Sequence, residues 1–129
     1  MRAFVWTDDS VPDNSRPQPG VAFVLDTERE QADIIHVFGE VDLASAPQLE
    51  ALLGLVRPDK LVAVDLSECR YADSATLRVL VRAHKALKER LRVILPEDAR
   101  IYRVFVITGL VGILHVVPNL GAAFDGARP

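Results

Sequence analysis

Apolar and polar residues follow strand-like and helix-like patterns in turn along most of the chain. Short apolar runs rich in β-branched residues predict strands at residues 21–25, 34–38, 61–66, 92–95 and 113–117. Three of the segments between these runs carry apolar residues at helical spacing and predict helices. Strand–helix–strand repeats favour parallel pairing, and the short polar link between the first two strands favours a hairpin. The order β-β-α-β-α-β-α-β therefore predicts a single α/β domain with a mixed, mostly parallel sheet.

Each predicted helix has a start signal. Residues 45–48 (Ser-Ala-Pro-Gln) have the spacing of a capping box, which marks the first helix. Asp73 and Ser74 stand where the longest and most regular helix begins, and both residue types suit a cap. Asp98 is predicted to cap the third helix, with Gly109 as its stop.

The two ends of the chain differ from its centre. Residues 1–20 are polar and proline-rich, so they are predicted to form a flexible tail, although residues 3–6 (Ala-Phe-Val-Trp) are apolar enough to attach to the domain. The domain itself is predicted to span residues 21–124, and residues 125–129 form a C-terminal tail. A length of 129 residues suits one domain with a real core.

Charge and composition exclude several classes of protein. The net charge is −3, which argues against broad electrostatic attraction to nucleic acid. Apolar runs are too short to span a membrane, and the N-terminus lacks the residue order of a signal peptide, so a cytoplasmic location is expected. The single cysteine, Cys69, excludes an intramolecular disulfide and is expected to be a small buried side chain.

The sequence also argues against an enzyme. A Gly-rich phosphate loop, a GxSxG elbow and an HExxH motif are all missing from the sequence. Cys69 has no identifiable base, and His36, His84 and His115 lack the spacing of metal ligands. We therefore expect neither a catalytic residue nor a bound cofactor or metal.

Ser74 is the strongest candidate for a functional residue, and two interpretations of it stand side by side. As a cap it would only stabilise the helix start. As a functional hydroxyl it follows the carboxyl end of a buried strand, where α/β proteins commonly place their sites. The small neighbours Ala72 and Ala75 leave room there for another surface.

Two further groups of residues have a structural and a functional interpretation. Asp42 follows the second strand, so it either satisfies nearby backbone or orients the Ser74 hydroxyl or a phosphate-bound metal on a partner. Arg78, Arg82 and Lys85 form a basic helix face, which is either solvated or a docking stripe for an acidic partner.

Three short motifs in order resemble the STAS family, which contains sulphate-transporter cytoplasmic domains and bacterial anti-sigma factor antagonists. They are residues 39–43 (Gly-Glu-Val-Asp-Leu), 64–67 (Val-Asp-Leu-Ser) and 73–77 (Asp-Ser-Ala-Thr-Leu). The resemblance covers residues 21–109 and, more loosely, residues 110–124. The small size of the chain is similar to that of the antagonist branch. The resemblance implies a mixed sheet with helices packed mainly on one side.

The resemblance also implies a phosphorylation switch. Ser74 matches the serine that a kinase-type anti-sigma factor phosphorylates in antagonists, and Asp42 matches an acidic residue needed around it. The unphosphorylated protein would bind the anti-sigma factor, and a serine phosphatase would reset the phosphorylated form. We expect a monomer or weak homodimer whose partner-binding residues are Asp42, Asp73, Ser74, Ala75, Thr76 and Arg78.

Elementary electrostatics agrees with such a switch. A phosphate on Ser74 adds negative charge beside Asp42 and Asp73, which should oppose binding of a partner. Within the monomer, backbone donors at the helix N-terminus are expected to tolerate the same phosphate.

The sequence departs from the common family pattern at two positions. Thr76 replaces a frequent glycine and Ala75 replaces a common hydroxyl residue, so the choice of partner is open. Thr76 is also a minor candidate for phosphorylation. One rival hypothesis is a constitutive, non-catalytic STAS scaffold or accessory subunit, stressosome-like or lipid-transport-associated, in which Ser74 is only a cap. A second and less favoured one is an enzyme or nucleotide-binding domain.

Overall fold

A six-stranded sheet runs through the domain, and its strands lie in chain order. The computed structural model describes residues 4–7 and 20–124. The strands are β1 (Phe4–Thr7), β2 (Val21–Asp26), β3 (Ala32–Val41), β4 (Leu61–Ala72), β5 (Leu91–Ile94) and β6 (Val116–Val117). The helices are α1 (Ala46–Leu53), α2 (Ser74–Leu87), α3 (Tyr102–Ile107), α4 (Leu110–Ile113) and α5 (Leu120–Ala123), with a 3-10 turn at Lys88–Arg90.

Strand directions follow the connections between the strands. The pairs β1–β2 and β2–β3 are antiparallel, the second of them across a short link, and the pairs β3–β4, β4–β5 and β5–β6 are parallel. The predicted mixed, mostly parallel sheet is therefore confirmed. β1 lies within the segment predicted as an N-terminal tail, whereas residues 1–3 and 8–19 and the predicted C-terminal tail, 125–129, lie outside the described residues.

Several predicted boundaries differ from the structure. β3 and β4 extend beyond the predicted ends at residues 38 and 66. The residues beyond these ends include polar ones, but they pair with each other and so continue both strands. The last strand is Val116–Val117 and not residues 113–117, since the chain after the left-handed Gly109 turns into α4. Asp98 does not cap the third helix, because that helix starts later and its N-cap residue is Ile101.

The helices lie mainly on one side of the sheet, as expected. The main core combines alternate strand residues such as Val64 with Leu49 of α1, Leu80 of α2 and Phe105 of α3. On the opposite side a smaller cluster joins the sheet to α5; its buried members are Ile34, Ala63, Ile94, Val117 and Ala123. Since neighbouring residues of a strand point to opposite faces, the two clusters mark the two sides of one sheet.

An ion pair between a buried carboxylate and a partly exposed arginine joins the start of β3 to the loop after α1, at the sheet end opposite Ser74. The Asp33 carboxylate is fully buried and accepts hydrogen bonds from Arg57 Nε at 2.8 Å, Nη2 at 2.6 Å and the backbone N–H at 2.7 Å. Arg57 Nη2 also donates to the carbonyl oxygens of Arg29 and Ala32. These bonds connect three segments at the amino end of the parallel strands.

Gly39 lies at an irregular point of β3, and we expect Gly39→Ala to destabilise the domain. Its φ is +90°, and a Cβ atom there would lie 2.0 Å from the carbonyl oxygen of Gly20. The unfavourable φ and the clash with backbone together predict a loss of about 2 kcal/mol or more in the free energy of unfolding. Urea denaturation followed by circular dichroism measures this loss.

The matched control for Gly39→Ala is Gly112→Ala. Gly112 lies in α4, and an added Cβ would meet nothing within 4 Å. We expect this control to leave the free energy of unfolding unchanged or slightly raised, because alanine favours a helix over glycine. Equal losses in the two variants would contradict the role assigned to Gly39.

Candidate functional site

The carboxyl ends of β3 and β4 lie side by side and position the start of α2. Val41 pairs with Ala72, so the residues that follow them, Asp42 and Asp73, leave the same edge of the sheet. The Val41 carbonyl accepts hydrogen bonds from Asp73 N at 3.3 Å and from Thr76 Oγ1 at 3.2 Å. These two bonds attach the first turn of α2 to the end of the neighbouring strand.

Asp73, and not Ser74, caps α2. Its Oδ1 atom accepts hydrogen bonds from the backbone N–H groups of Ala75 at 3.1 Å and Thr76 at 3.3 Å. Ser74 is the first residue of the helix and is exposed. No described residue forms a hydrogen bond with its hydroxyl. The oxygen predicted to carry function is therefore open to solvent and is not used by the cap.

The neighbours of Ser74 differ in their exposure. Ala75 is half-buried and Arg78 is exposed, but Thr76 is 0% exposed. The Thr76 hydroxyl is engaged with the end of β3, so this residue has no surface to offer a kinase or a partner. The Thr76 side chain, which stands where the family has a frequent glycine, therefore packs inside the domain.

Asp42 shapes the turn before α1. Its Oδ1 atom accepts hydrogen bonds from Ala44 N at 3.0 Å, and from Ser45 N and Ser45 Oγ at 3.1 Å each. The predicted capping box at residues 45–48 does not form, because Ser45 bonds to Asp42 and makes no side-chain cap. Asp42 is itself exposed, so its fixed carboxylate adds negative charge to the edge that carries Asp73 and Ser74.

A groove beside Ser74 completes the site. It is a shallow depression of about 430 Å³ between α2 and the α3–α4 segment, lined by Ser74, Leu77, Arg78, Val81, Thr108 and Leu110. We call it the Ser74 groove. Most of its lining is apolar, and Ile107 nearby in the chain is 73% exposed. Sequence reasoning missed this groove. The signal that could have revealed it is the number of apolar residues in segment 101–110, which are too many for one buried helix face.

The basic face of α2 divides into residues with different surroundings. Arg82 forms a two-pronged ion pair with Glu50 of α1, so it joins the two helices. Arg78 stands one turn after Ser74, where i and i+4 side chains meet on a helix. Because Asp73 already uses two N–H groups of the helix entrance, Arg78 is a better candidate than the backbone to pair with a phosphate on Ser74.

Other chemically active side chains lie outside the site. Burial raises the pKa of the Cys69 thiol to about 11, so this cysteine is not a nucleophile at neutral pH. His36 Nδ1 lies 3.1 Å from Asp65 on the sheet face away from the main core. Burial opposes ionisation of Asp65, but hydrogen bonds from His36 and Ser67 outweigh it and lower the Asp65 pKa.

Two further structural tests concern metals and membranes. In the part of the chain that the structure describes, His, Cys, Asp and Glu side chains do not gather in groups able to hold a metal ion. Within residues 4–7 and 20–124, every helix is too short or too polar to cross a bilayer.

Comparison with known families agrees with this geometry. The family model described as "Mlab, STAS domain" matches residues 24–116, which include Asp42, Asp73, Ser74 and the groove. The chain belongs to the STAS domain family. The predicted resemblance is thus confirmed for the region that carries β3 to β5 and α1 to α4.

Named relatives of this STAS domain are regulators. The anti-sigma-B factor antagonist of Listeria monocytogenes is 33% identical over 71% of this chain and 86% of its own length. An anti-sigma factor antagonist from Mycobacterium paratuberculosis has the same fold, with a TM-score of 0.73 and 24% identity over 84% of this chain and 95% of that one.

A second solved structure is that of the Bacillus cell fate determinant SpoIIAA in its phosphorylated form. It superposes with a TM-score of 0.56 and 21% identity over 82% of this chain and 99% of that chain. None of these three names is that of an enzyme. At these identities the two solved structures establish the fold, and the Listeria relative connects the sequence to the antagonists.

Proposed function

We propose that this protein is an anti-sigma factor antagonist, a binding module that phosphorylation of Ser74 switches off. One observation carries the proposal. The exposed Ser74 hydroxyl lies outside the helix cap, at the head of an apolar groove and on the same sheet edge as two carboxylates. The names of the relatives support the same conclusion.

The partner is a kinase-type anti-sigma factor, and it covers the Ser74 groove while Ser74 is unmodified. Apolar side chains such as Leu77 and Val81 supply area to bury on association, and the exposed Arg78 offers a charged contact at the rim. Thr76 is left out of the surface because it is buried. The proposed surface therefore consists of Asp42, Asp73, Ser74, Ala75, Arg78 and the groove.

Phosphorylation then changes the interface more than the fold. A phosphate on Ser74 carries about −1.5 to −2 charges at neutral pH, and a partner seated on the groove would desolvate that charge. In the free protein the phosphate stays in water and reaches Arg78. A serine phosphatase would restore binding. In this cycle the protein works as a cytoplasmic monomer or weak homodimer, without catalysis, cofactor or contact to nucleic acid.

Mapping the phosphate tests the proposal directly. We expect incubation with the cognate anti-sigma kinase and ATP to add one phosphate, which mass spectrometry of tryptic peptides places on Ser74. Ser74→Ala should remain unmodified, since Thr76 in the same segment is buried. A phosphate at another position, or phosphorylation that leaves the protein bound to its partner, would reject the switch and favour a constitutive scaffold.

A further inference from the structure

A second depression lies at the other end of α2, and the proposed switch does not use it. It measures about 550 Å³ and is lined by His84, Lys85, Lys88, Glu89, Ile113, Leu114 and His115. His84 follows Ser74 by ten residues in the helix, which places the two about 15 Å apart along its axis. We call this depression the basic pocket.

The charge of the basic pocket is opposite to that of the whole chain. The chain carries −3 overall, but the pocket is lined by two lysines and two histidines against a single carboxylate, Glu89. Burial and the charge of Arg92 both lower the pKa of His115, so this histidine is uncharged at neutral pH. The positive charges of the pocket are therefore those of Lys85 at the end of α2 and Lys88 in the 3-10 turn.

One buried nitrogen atom in the lining of the basic pocket lacks a hydrogen-bond partner among the described residues. It is Nδ1 of His84. A buried polar nitrogen without a partner is costly. A hydrogen-bonding group supplied by a ligand would remove this cost.

Compensation of the helix dipole does not account for the whole cluster. Positive side chains at a helix C-terminus are favourable, and His84 and Lys85 lie in the last turn of α2. Lys88 and His115 lie outside that helix, and dipole compensation does not require them. The two apolar members, Ile113 and Leu114, form a wall beside the charges.

We propose that the basic pocket binds an organic phosphate: a phosphoryl group held by the basic side chains, and an apolar body against Ile113 and Leu114. A phosphoryl group presents several acceptor oxygens in different directions, which suits donors that come from separate elements. The site is independent of the Ser74 groove, because the two share no lining residue.

Titration of the full chain with phenyl phosphate, followed by NMR, tests this site. The chain has three histidines, and we expect the ring signals of His84 and His115 to shift on binding. His36 should not move, since it lies on the sheet face away from the main core and is paired with Asp65. Phenol, which lacks the phosphoryl group, should cause no shift at the same concentration.

Substitutions decide which side chains hold the ligand. Lys88→Gly removes a charge at a residue with φ of +55° and ψ of −123°, a conformation that glycine adopts without steric cost, so the fold should be kept. Together with Lys85→Ala it should weaken binding of phenyl phosphate at least about tenfold. Arg103→Ala, an exposed charge on α3, should not change it. Equal affinity in all variants, or equal shifts at all three histidines, would overturn the proposal.

Discussion

Arg57→Ala is expected to lower the free energy of unfolding by about 3–5 kcal/mol, because it leaves the Asp33 carboxylate buried without its ion-pair partner. Asp33 is 0% exposed and receives two of its three described hydrogen bonds from the Arg57 side chain. The backbone N–H of residue 57 would remain as a donor but cannot neutralise the charge. Urea denaturation of the purified chain, followed by far-UV circular dichroism, measures the loss.

Arg82→Ala is the matched control, since it also breaks an arginine–carboxylate pair. The side chains of Arg82 and Glu50 are 52% and 49% exposed, so water replaces the lost partner. We expect this control to cost less than about 1 kcal/mol. Similar losses in the free energy of unfolding would contradict the prediction, because burial of Asp33 would then not make its ion pair more important for stability than the exposed pair.

The architecture was predictable where local pattern and tertiary environment agree. The segment from β4 to β5 is an example: a β-branched apolar strand, a capped amphipathic helix and a second apolar strand. Each of these has a local signal that packing against the sheet reinforces. Ser74 was found for the same reason, since strand, turn and helix start are all visible in about fifteen consecutive residues.

Features that depend on contacts between distant segments were not predictable. Residues 67–72 look like a loop because the apolar run stops at residue 66 and three of the six are polar, yet they continue β4 by pairing with the end of β3. The burial of Thr76 depends on a carbonyl 35 residues earlier in the chain. In the same way, the Ser74 groove exists only because the α3–α4 segment packs beside α2.

The local signals at Ser45 and Asp98 failed for a related reason. The spacing at residues 45–48 fits a capping box. In the structure, however, the Ser45 N–H and hydroxyl donate to the Asp42 carboxylate, so the Ser45 side chain does not cap the helix. Asp98 is followed by a turn, so the helix begins only after Ile101. Several neighbouring polar side chains can bond to the same backbone donors. Which of them does so depends on the path of the backbone in the folded protein.

Ser74→Asp is expected to weaken binding to the anti-sigma factor more than about a hundredfold, on the order of 3 kcal/mol. The substitution places a third carboxylate on the edge that carries Asp42 and Asp73, at the head of the groove that a partner must dehydrate. Ser74→Ala should bind like the unmodified protein. Isothermal titration calorimetry with the purified partner measures all three affinities.

The stability of the same variant separates loss of the interface from loss of the fold. Ser74 is exposed in the first turn of α2, where a negative side chain is favourable, so Ser74→Asp should unfold at nearly the same urea concentration as the unmodified protein.

Gln31→Glu is the charge control, because it adds one negative charge to an exposed position at the opposite end of β3. If it weakens binding as much as Ser74→Asp, net charge and not the position of Ser74 controls the partner. If Ser74→Asp binds normally, the groove is not the surface that the anti-sigma factor covers.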